Sequence, residues 1–592
     1  MEGTFRRYPI GIQDFEDLRN NDYIYVDKTA LIYQLVNTNK IYFLSRPRRF
    51  GKSLLVSTLE AYFLGKKELF NGLDMEQLEK DWTVYPVLHI DFSGSKYMEA
   101  ESLRASINVQ LLLWENVYGR QEGEDTFSLR LEGIIRRAYE QTGQQVVVLV
   151  DEYDAPMLDS NNNHELQHEI RGIMRDFFSP LKKSGKYLRF LFLTGISKFS
   201  QMSIFSELNN LQNVSMSDNY STICGITEQE LLTQMKIDVE QMAQANDETY
   251  EEACAHLKKQ YDGYHFSKSC VDVYNPFSLI NAFAQKSYEN YWFSTGTPTF
   301  LIELLQQMNF DIRLLDRMDA KPEDFDKATD CLTDPIPVLY QSGYLTIKSY
   351  DAFFRTYTLG YPNEEVRIGF IESLIPSYLY QPTRESNFYV VSFVRDLMKG
   401  NLESCLERTR SFFASIPNDL NNKEEKHYQT IFYLLFRLMG QYVDTEVKSA
   451  VGRADVVIKM QDARTAREFL AARTDASLLR NIPAENITSK DVYDAAVQGD
   501  KLAQEIFEFT GNILGEALAD AIAFSSPEAI VLFGGLAKSG DYIMKPIQKA
   551  IDDNILNIYK GKTKLLVSEL KDSDAAVLGA SALAWELKDL KE

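Results

Sequence analysis

Apolar positions in the first part of this chain gather into short unbroken runs. Ile41–Ser45, Val87–Phe92, Val146–Val150 and Leu188–Thr194 are four of them. Apolar runs of this length predict strands buried on both faces of a parallel sheet. Amphipathic stretches at helical spacing lie between them. One is Ser53–Leu64, with Gly65 as its stop signal. The alternation predicts an α/β domain with a P-loop-like parallel sheet over residues 1–225.

The pattern then changes. Residues 226–385 read as mostly helical with a few short strands, and hold two aromatic, turn-rich segments, YDGYHFS (Tyr261–Ser267) and VYNPFSL (Val273–Leu279). Residues 386–460 predict two helices, then strands at Tyr442–Val447 and Ala454–Ile458. Beyond them, Leu502, Ile506, Phe509, Ile513, Leu518 and Ile522 recur at helical spacing, predicting a long helix over Asp500–Ala523. A strand at Ala529–Phe533, a Gly534–Gly535 turn, another helix, a strand near Leu565–Val567 and a small-residue helix from Asp574 to Ala584 complete the chain.

Composition breaks at residue 460. Before it the chain is rich in Tyr and Phe. After it Tyr is rare, Cys and His are absent, and Ala dominates. A domain junction is normally a polar or Gly/Pro-rich linker between complete units. Here the change falls within GRADVVIKM (Gly452 to Met460), a segment that reads as a core strand.

The net charge of -22 repels nucleic acid over most of the surface, so such a partner would need a local basic patch. The five cysteines are scattered, without a Cys-x-x-Cys pair, which fits a reducing cytoplasm and argues against a disulfide framework or a cysteine-based zinc site. No apolar run approaches the ~20 residues of a membrane span. A cytoplasmic protein is therefore expected.

The candidate chemistry begins at SRPRRFGKSLL, which follows a strand and opens a helix. Gly51 allows close approach of the backbone to a phosphate. Lys52 supplies charge for the β- and γ-phosphates, Ser53 can ligate Mg²⁺, and the helix start adds N–H donors. Arg46 stands where G-x-x-x-x-G-K-[ST] has its first glycine. A basic surface turn would look the same in isolation. The run VVVLVDEYD adds a strand ending in Asp151 and Glu152. Asp151 is placed to hold Mg²⁺, and Glu152 to polarise an attacking water. A further strand ends in TGISKFS, where Thr194 or Ser197 could sense the γ-phosphate and Lys198 contact it. ATP and Mg²⁺ are the implied cofactors.

These residues, with YPIGIQDFEDLR, YVDKT, DEYDAP, YDGYHFS, VYNPFSL and NYWFSTGTPTFL, resemble the AAA-ATPase-like family of the Bacteroidetes type over about residues 5–460. In that family Arg46 belongs to the pattern, and the members are expected ATPases. The resemblance also implies a PD-(D/E)XK nuclease-like module at 386–460. Asp455 matches its first metal-binding acid, and Glu424 or Glu425 an accessory acid. The E-x-K that should follow on the next strand is missing. Glu446-Val447-Lys448 precedes Asp455 instead, and reads as an exposed charge pair on one face of a strand. Metal-assisted cleavage needs two carboxylates and a lysine, so Asp455 is expected to be vestigial.

The segments AIVLFGGLAKSGDYIMKPI and LKDSDAAVLGASALAW resemble the end of a ROK-family sugar kinase of glucokinase type, over about 464–592. That resemblance implies a partial actin-like α/β lobe in which Gly534 and Gly535 form a vestigial nucleotide loop. The chain holds no Asp-x-Gly-Gly-Thr phosphate loop, and this segment has no Cys or His for a zinc site. Sugar phosphorylation is therefore not expected.

Overall fold

The computed structural model describes residues 6–160, 163–197, 210–293, 299–308, 310–325 and 335–379, together with shorter stretches between 443 and 567. The chain divides into two compact units, residues 1–422 and 423–592.

In the first unit the apolar runs become a five-stranded sheet. Its strands are β1 (Ile41–Ser45), β2 (Val87–Asp91), β3 (Val146–Asp151), β4 (Leu188–Gly195) and the short β5 (Gln212–Asn213). The order is β2-β3-β4-β1-β5, and every pairing is parallel. Both faces are covered, as unbroken apolar strands require. Ile41, Phe43, Leu88, Ile90, Val146, Val148, Leu191 and Leu193 share one core with the helices α2 (Ala100–Tyr118), α3 (Phe127–Thr142) and α4 (His164–Phe178). On β1 and β4 the aromatic residues Tyr42, Phe190 and Phe192 form a separate cluster. Phe190 packs against Tyr42, Phe192 and Phe63, the last of these from helix α1 (Lys52–Phe63). Helix α1 stops as its sequence signal requires, with Gly65 left-handed at φ 67°.

Because the strands are parallel, their C-terminal ends lie along one edge. The register puts Asp91 beside Asp151 and Ser45 beside Gly195. In open α/β sheets this is the edge at which ligands bind. The strand order has one consequence for the site. β4 lies between the strand leading into the Gly51–Ser53 loop and the strand ending in the two acids, so the TGIS turn is central to that edge.

The middle region is largely helical, with α5 (Tyr250–Tyr261), α6 (Pro276–Gln285) and α7 (Glu364–Leu379) among its helices. A small antiparallel sheet of β6 (Met318–Ala320), β7 (Thr346–Asp351) and β8 (Thr356–Gly360) completes it, in the order β6-β8-β7.

In the second unit β9 (Val443–Ser449) and β10 (Gly452–Ile458) form an antiparallel hairpin. Its register places Asp455 between the pairs Ala454↔Val447 and Val456↔Thr445, opposite Glu446. The two helices expected before it, with Glu424 and Glu425, lie outside the described residues. So do Gly534, Gly535 and the helix expected at 574–584. Further on, β11 (Ala529–Leu532) pairs in parallel with β12 (Lys564–Val567). Helix α8 (Lys501–Ser525) packs along α9 (Asp541–Asn554).

The buried face of α8 differs from the stripe expected of it. Leu502, Ile506 and Ile522 are buried, but Phe509 is 44% exposed. The tightest contact runs through Gly511 and Gly515. A Cβ on Gly511 would lie 2.5 Å from Pro546, and one on Gly515 would lie 2.5 Å from the Ile547 carbonyl oxygen. Small residues let the two helix backbones approach, and a search for apolar side chains passes over them.

Candidate functional site

The site is built where α1 begins. Gly51 adopts the left-handed conformation, φ 85°, and stands as the N-cap of α1 without any side-chain cap. The first-turn N–H groups of a helix have no intrahelical partner, so this uncapped start presents donors and the positive end of the helix dipole. Lys52 is buried and turned back into its own loop. Its Nζ donates to the carbonyl oxygens of Arg46 and Pro47, both at 3.1 Å. Burial lowers the pKa of this ammonium group, while Glu152, Asp151 and Asp154 act in the opposite sense.

The β3 tip faces this start. The Ser53 hydroxyl lies near the Asp151 carboxylate, where it favours the charged form. Asp151 is 3% exposed and also accepts the Glu152 N–H at 2.9 Å. Burial raises its pKa, and Ser53 and Lys52 oppose that shift. Glu152 has φ 46°, a left-handed conformation that a residue with a Cβ adopts at a cost of about 1–3 kcal/mol. Burial raises the Glu152 pKa as well, with Lys52 pulling it down and the neighbouring acids pushing it up. Ser53 and Asp151 offer hard oxygen donors, of the kind that suit a small divalent cation that also binds phosphate oxygens. Among the described residues no group of three or more His, Cys, Asp or Glu side chains could hold a metal by itself.

The structure sends several other expected residues elsewhere. Arg46 is 1% exposed. Its guanidinium donates to the carbonyl oxygens of Ser45, Ser215 and Tyr220, and lies over the Phe266 ring at 4.2 Å. The side chain thus ties the loop to residues 215–220 and to the middle region. The Thr194 hydroxyl is buried and donates to the Leu44 carbonyl at 2.9 Å, bridging β4 and β1. Lys198 lies outside the described residues.

Asp154 is a residue that sequence reasoning missed. It is 1% exposed and accepts three hydrogen bonds from the β4 turn: the N–H groups of Ile196 and Ser197 at 3.1 and 2.6 Å, and the Ser197 hydroxyl at 2.7 Å. Tyr153 adds a hydrogen bond from its hydroxyl to the Ser197 carbonyl at 2.7 Å. The two residues fasten the β3 tip to the β4 turn. The only sequence signal was a third acid, three residues after Asp151.

Comparison with known proteins finds two separate stretches of similarity. Residues 9–205 match the family model described as "Predicted AAA-ATPase", and residues 465–586 match that of the ROK family. An uncharacterised protein encoded in the vnfD 5' region of Azotobacter chroococcum is 37% identical over 471 residues, covering 76% of this chain and 87% of that protein. A glucokinase of Thermotoga maritima is 30% identical over 102 residues, 17% of this chain, and only 32% of the glucokinase is spanned. Among solved structures, a ROK-family glucokinase of Streptomyces griseus is 26% identical over 21% of this chain and 40% of its own length. The TM-score is 0.19, too low to support an argument about this chain.

Proposed function

This chain belongs to the AAA-ATPase-like family, with a ROK-family segment joined behind it, and from that premise we propose that its N-terminal domain binds and hydrolyses ATP. The observation that supports this best is the convergence at one sheet edge. The uncapped start of α1 stands against the β3 tip, and Lys52 and Ser53 both act on the Asp151 carboxylate there. In this reading the first-turn N–H groups of α1 and the Lys52 ammonium receive the β- and γ-phosphates. Ser53 and Asp151 are the residues that would hold Mg²⁺, which supplies neutralising charge to the phosphates when bound. Glu152, held in its strained conformation, orients the attacking water and takes up its proton.

Calorimetry with Mg²⁺·ATP on the full chain tests the site. Lys52→Ala is expected to weaken binding at least about tenfold, or ~1.4 kcal/mol. Equal affinity in the variant and the parent removes the proposal. A second reading is nucleotide binding without hydrolysis, with Glu152 serving only the left-handed turn at the β3 tip. Turnover by the parent chain that falls in Glu152→Gln, with binding retained, decides for hydrolysis.

For the remainder we propose no catalytic role. Asp455 lacks a following E-x-K, and the chain spans about a third of the glucokinase it matches.

A further inference from the structure

The motifs YDGYHFS, VYNPFSL and NYWF have no part in the phosphate chemistry proposed above, yet all three close on the loop that precedes Gly51. Phe50 is buried and packs edge-on against both Tyr264 and Phe266, with ring centroids 4.8 and 5.2 Å away. The Arg49 guanidinium lies over the Phe277 ring at 3.9 Å. The Trp292 indole N–H points to the Arg48 carbonyl at 3.5 Å. A Cβ on Gly343 would lie 2.7 Å from Pro47, so the loop also abuts the turn before β7. Glu365, 1% exposed at the start of α7, accepts the Trp292 backbone N–H at 2.7 Å; burial pushes its pKa up to about 7, and the Arg49 charge opposes that shift.

Two further facts give this collar a direction. Arg49 is left-handed, φ 69°, and a strained backbone of this kind persists only where its surroundings over-determine it. Lys52 is engaged with the carbonyls of Arg46 and Pro47, within the segment that the collar grips. To meet a phosphate, Lys52 must leave those carbonyls, and the loop cannot relax without disturbing the contacts on residues 47–50.

We infer that the middle region positions the phosphate loop and reads its occupancy, with Phe50 and Arg49 as the loop's contact points and Phe266, Trp292 and Glu365 as the positioning residues that receive them. This rests on the nucleotide site proposed above. Nucleotide entering the loop changes the packing of residues 261–266 and 289–293, and so carries the state of the site into the helical region. The Arg49 charge and the Glu365 carboxyl act on one another, and Glu365 also holds the Trp292 N–H.

Hydrogen exchange of the full chain, with and without Mg²⁺·ATP, tests this alongside calorimetry on the same samples. In the parent chain the exchange of 261–266 and 289–293 is expected to shift when nucleotide is added. Glu365→Gln keeps an acceptor for Trp292 and removes the carboxyl that acts on Arg49. It is expected to melt as the parent does and, at nucleotide concentrations that saturate it by calorimetry, to lose the shift in 289–293. Phe266→Leu is expected to lose the shift in 261–266. Binding by calorimetry with no shift in either segment overturns the coupling and leaves the site standing. A full parental shift in both variants also overturns it. Absence of binding to the parent chain overturns the nucleotide site, and the coupling with it.

Discussion

Gly195 has no side chain because the Asp154 carboxylate occupies the space where one would begin. A Cβ at Gly195 would lie 2.2 Å from Asp154 Oδ1. The carboxylate cannot swing aside cheaply, because it is held by Ile196 and Ser197. Gly195→Ala is therefore expected to destabilise the first unit by about 1–3 kcal/mol, the usual cost of overpacking. Asp154→Asn, which keeps the size but turns one acceptor into a donor, is expected to cost a similar amount. Denaturant unfolding followed by tryptophan fluorescence measures both, and an unchanged midpoint in either variant contradicts the packing described.

Glu152 invites two substitutions that separate chemistry from strain. Glu152→Gln retains the left-handed backbone and is expected to leave stability near that of the parent. Glu152→Gly relieves it and is expected to raise stability by about 1 kcal/mol. Both are expected to slow ATP turnover. A glycine variant no more stable than the glutamine variant shows that φ 46° is not strained in this setting.

Asp262, in the YDGYHFS motif, gives a prediction in pH. Its carboxylate is 1% exposed and receives no well-formed side-chain hydrogen bond, although the Gly263 N–H is close. Burial raises its pKa from 3.8 to about 7; the nearby Gly263 N–H and Lys258 oppose this, while Asp272 and Glu228 add to it. A carboxyl raised on folding binds its proton more tightly in the folded state. Its contribution is therefore fully present below about pH 4, and is lost as pH rises through about 7. The full shift corresponds to at most about 4 kcal/mol. Asp262→Asn is expected to flatten the fall in stability between pH 4 and 7. Thermal melts across that range decide, and an identical slope in parent and variant excludes Asp262 as its source.

Cleavage of plasmid or oligonucleotide with Mg²⁺ or Mn²⁺ is expected to be undetectable. Asp455 has Glu446 across the hairpin, but no E-x-K strand follows it. Metal-dependent cleavage that disappears in Asp455→Ala reverses this, and makes Glu446 and Lys448 the next residues to change.

In the second unit, Gly515→Ala is expected to separate α8 from α9, because the new Cβ would meet the Ile547 carbonyl and the Ala550 side chain at 2.5 Å. A loss of about 1–3 kcal/mol in the transition of this unit is the expected reading. No change would mean that the helices already have room.

The sequence by itself determined the local elements of the first domain. β1 to β4 fall within a residue of their apolar runs, and α1 begins at Lys52 and stops at Gly65. Unbroken apolar runs and a glycine stop are signals read over a few residues, so they survive without knowledge of partners. The family pattern was legible too, because its motifs are contiguous. The tertiary structure alone decided what those elements meet. Nothing local places β4 between β1 and β3, and that order brings Thr194 and Asp154 to the centre of the edge. Arg46 stands in the sequence at the first glycine position of the phosphate-binding motif. Its side chain is buried on carbonyl groups contributed by residues 169 to 174 positions away. The glycine face of α8 was hidden for the opposite reason: a close helix contact needs the absence of side chains, which carries no hydrophobic signal. The contacts of Phe266 with Phe50 and of Trp292 with Arg48 join segments more than 200 residues apart, and only packing in three dimensions makes them.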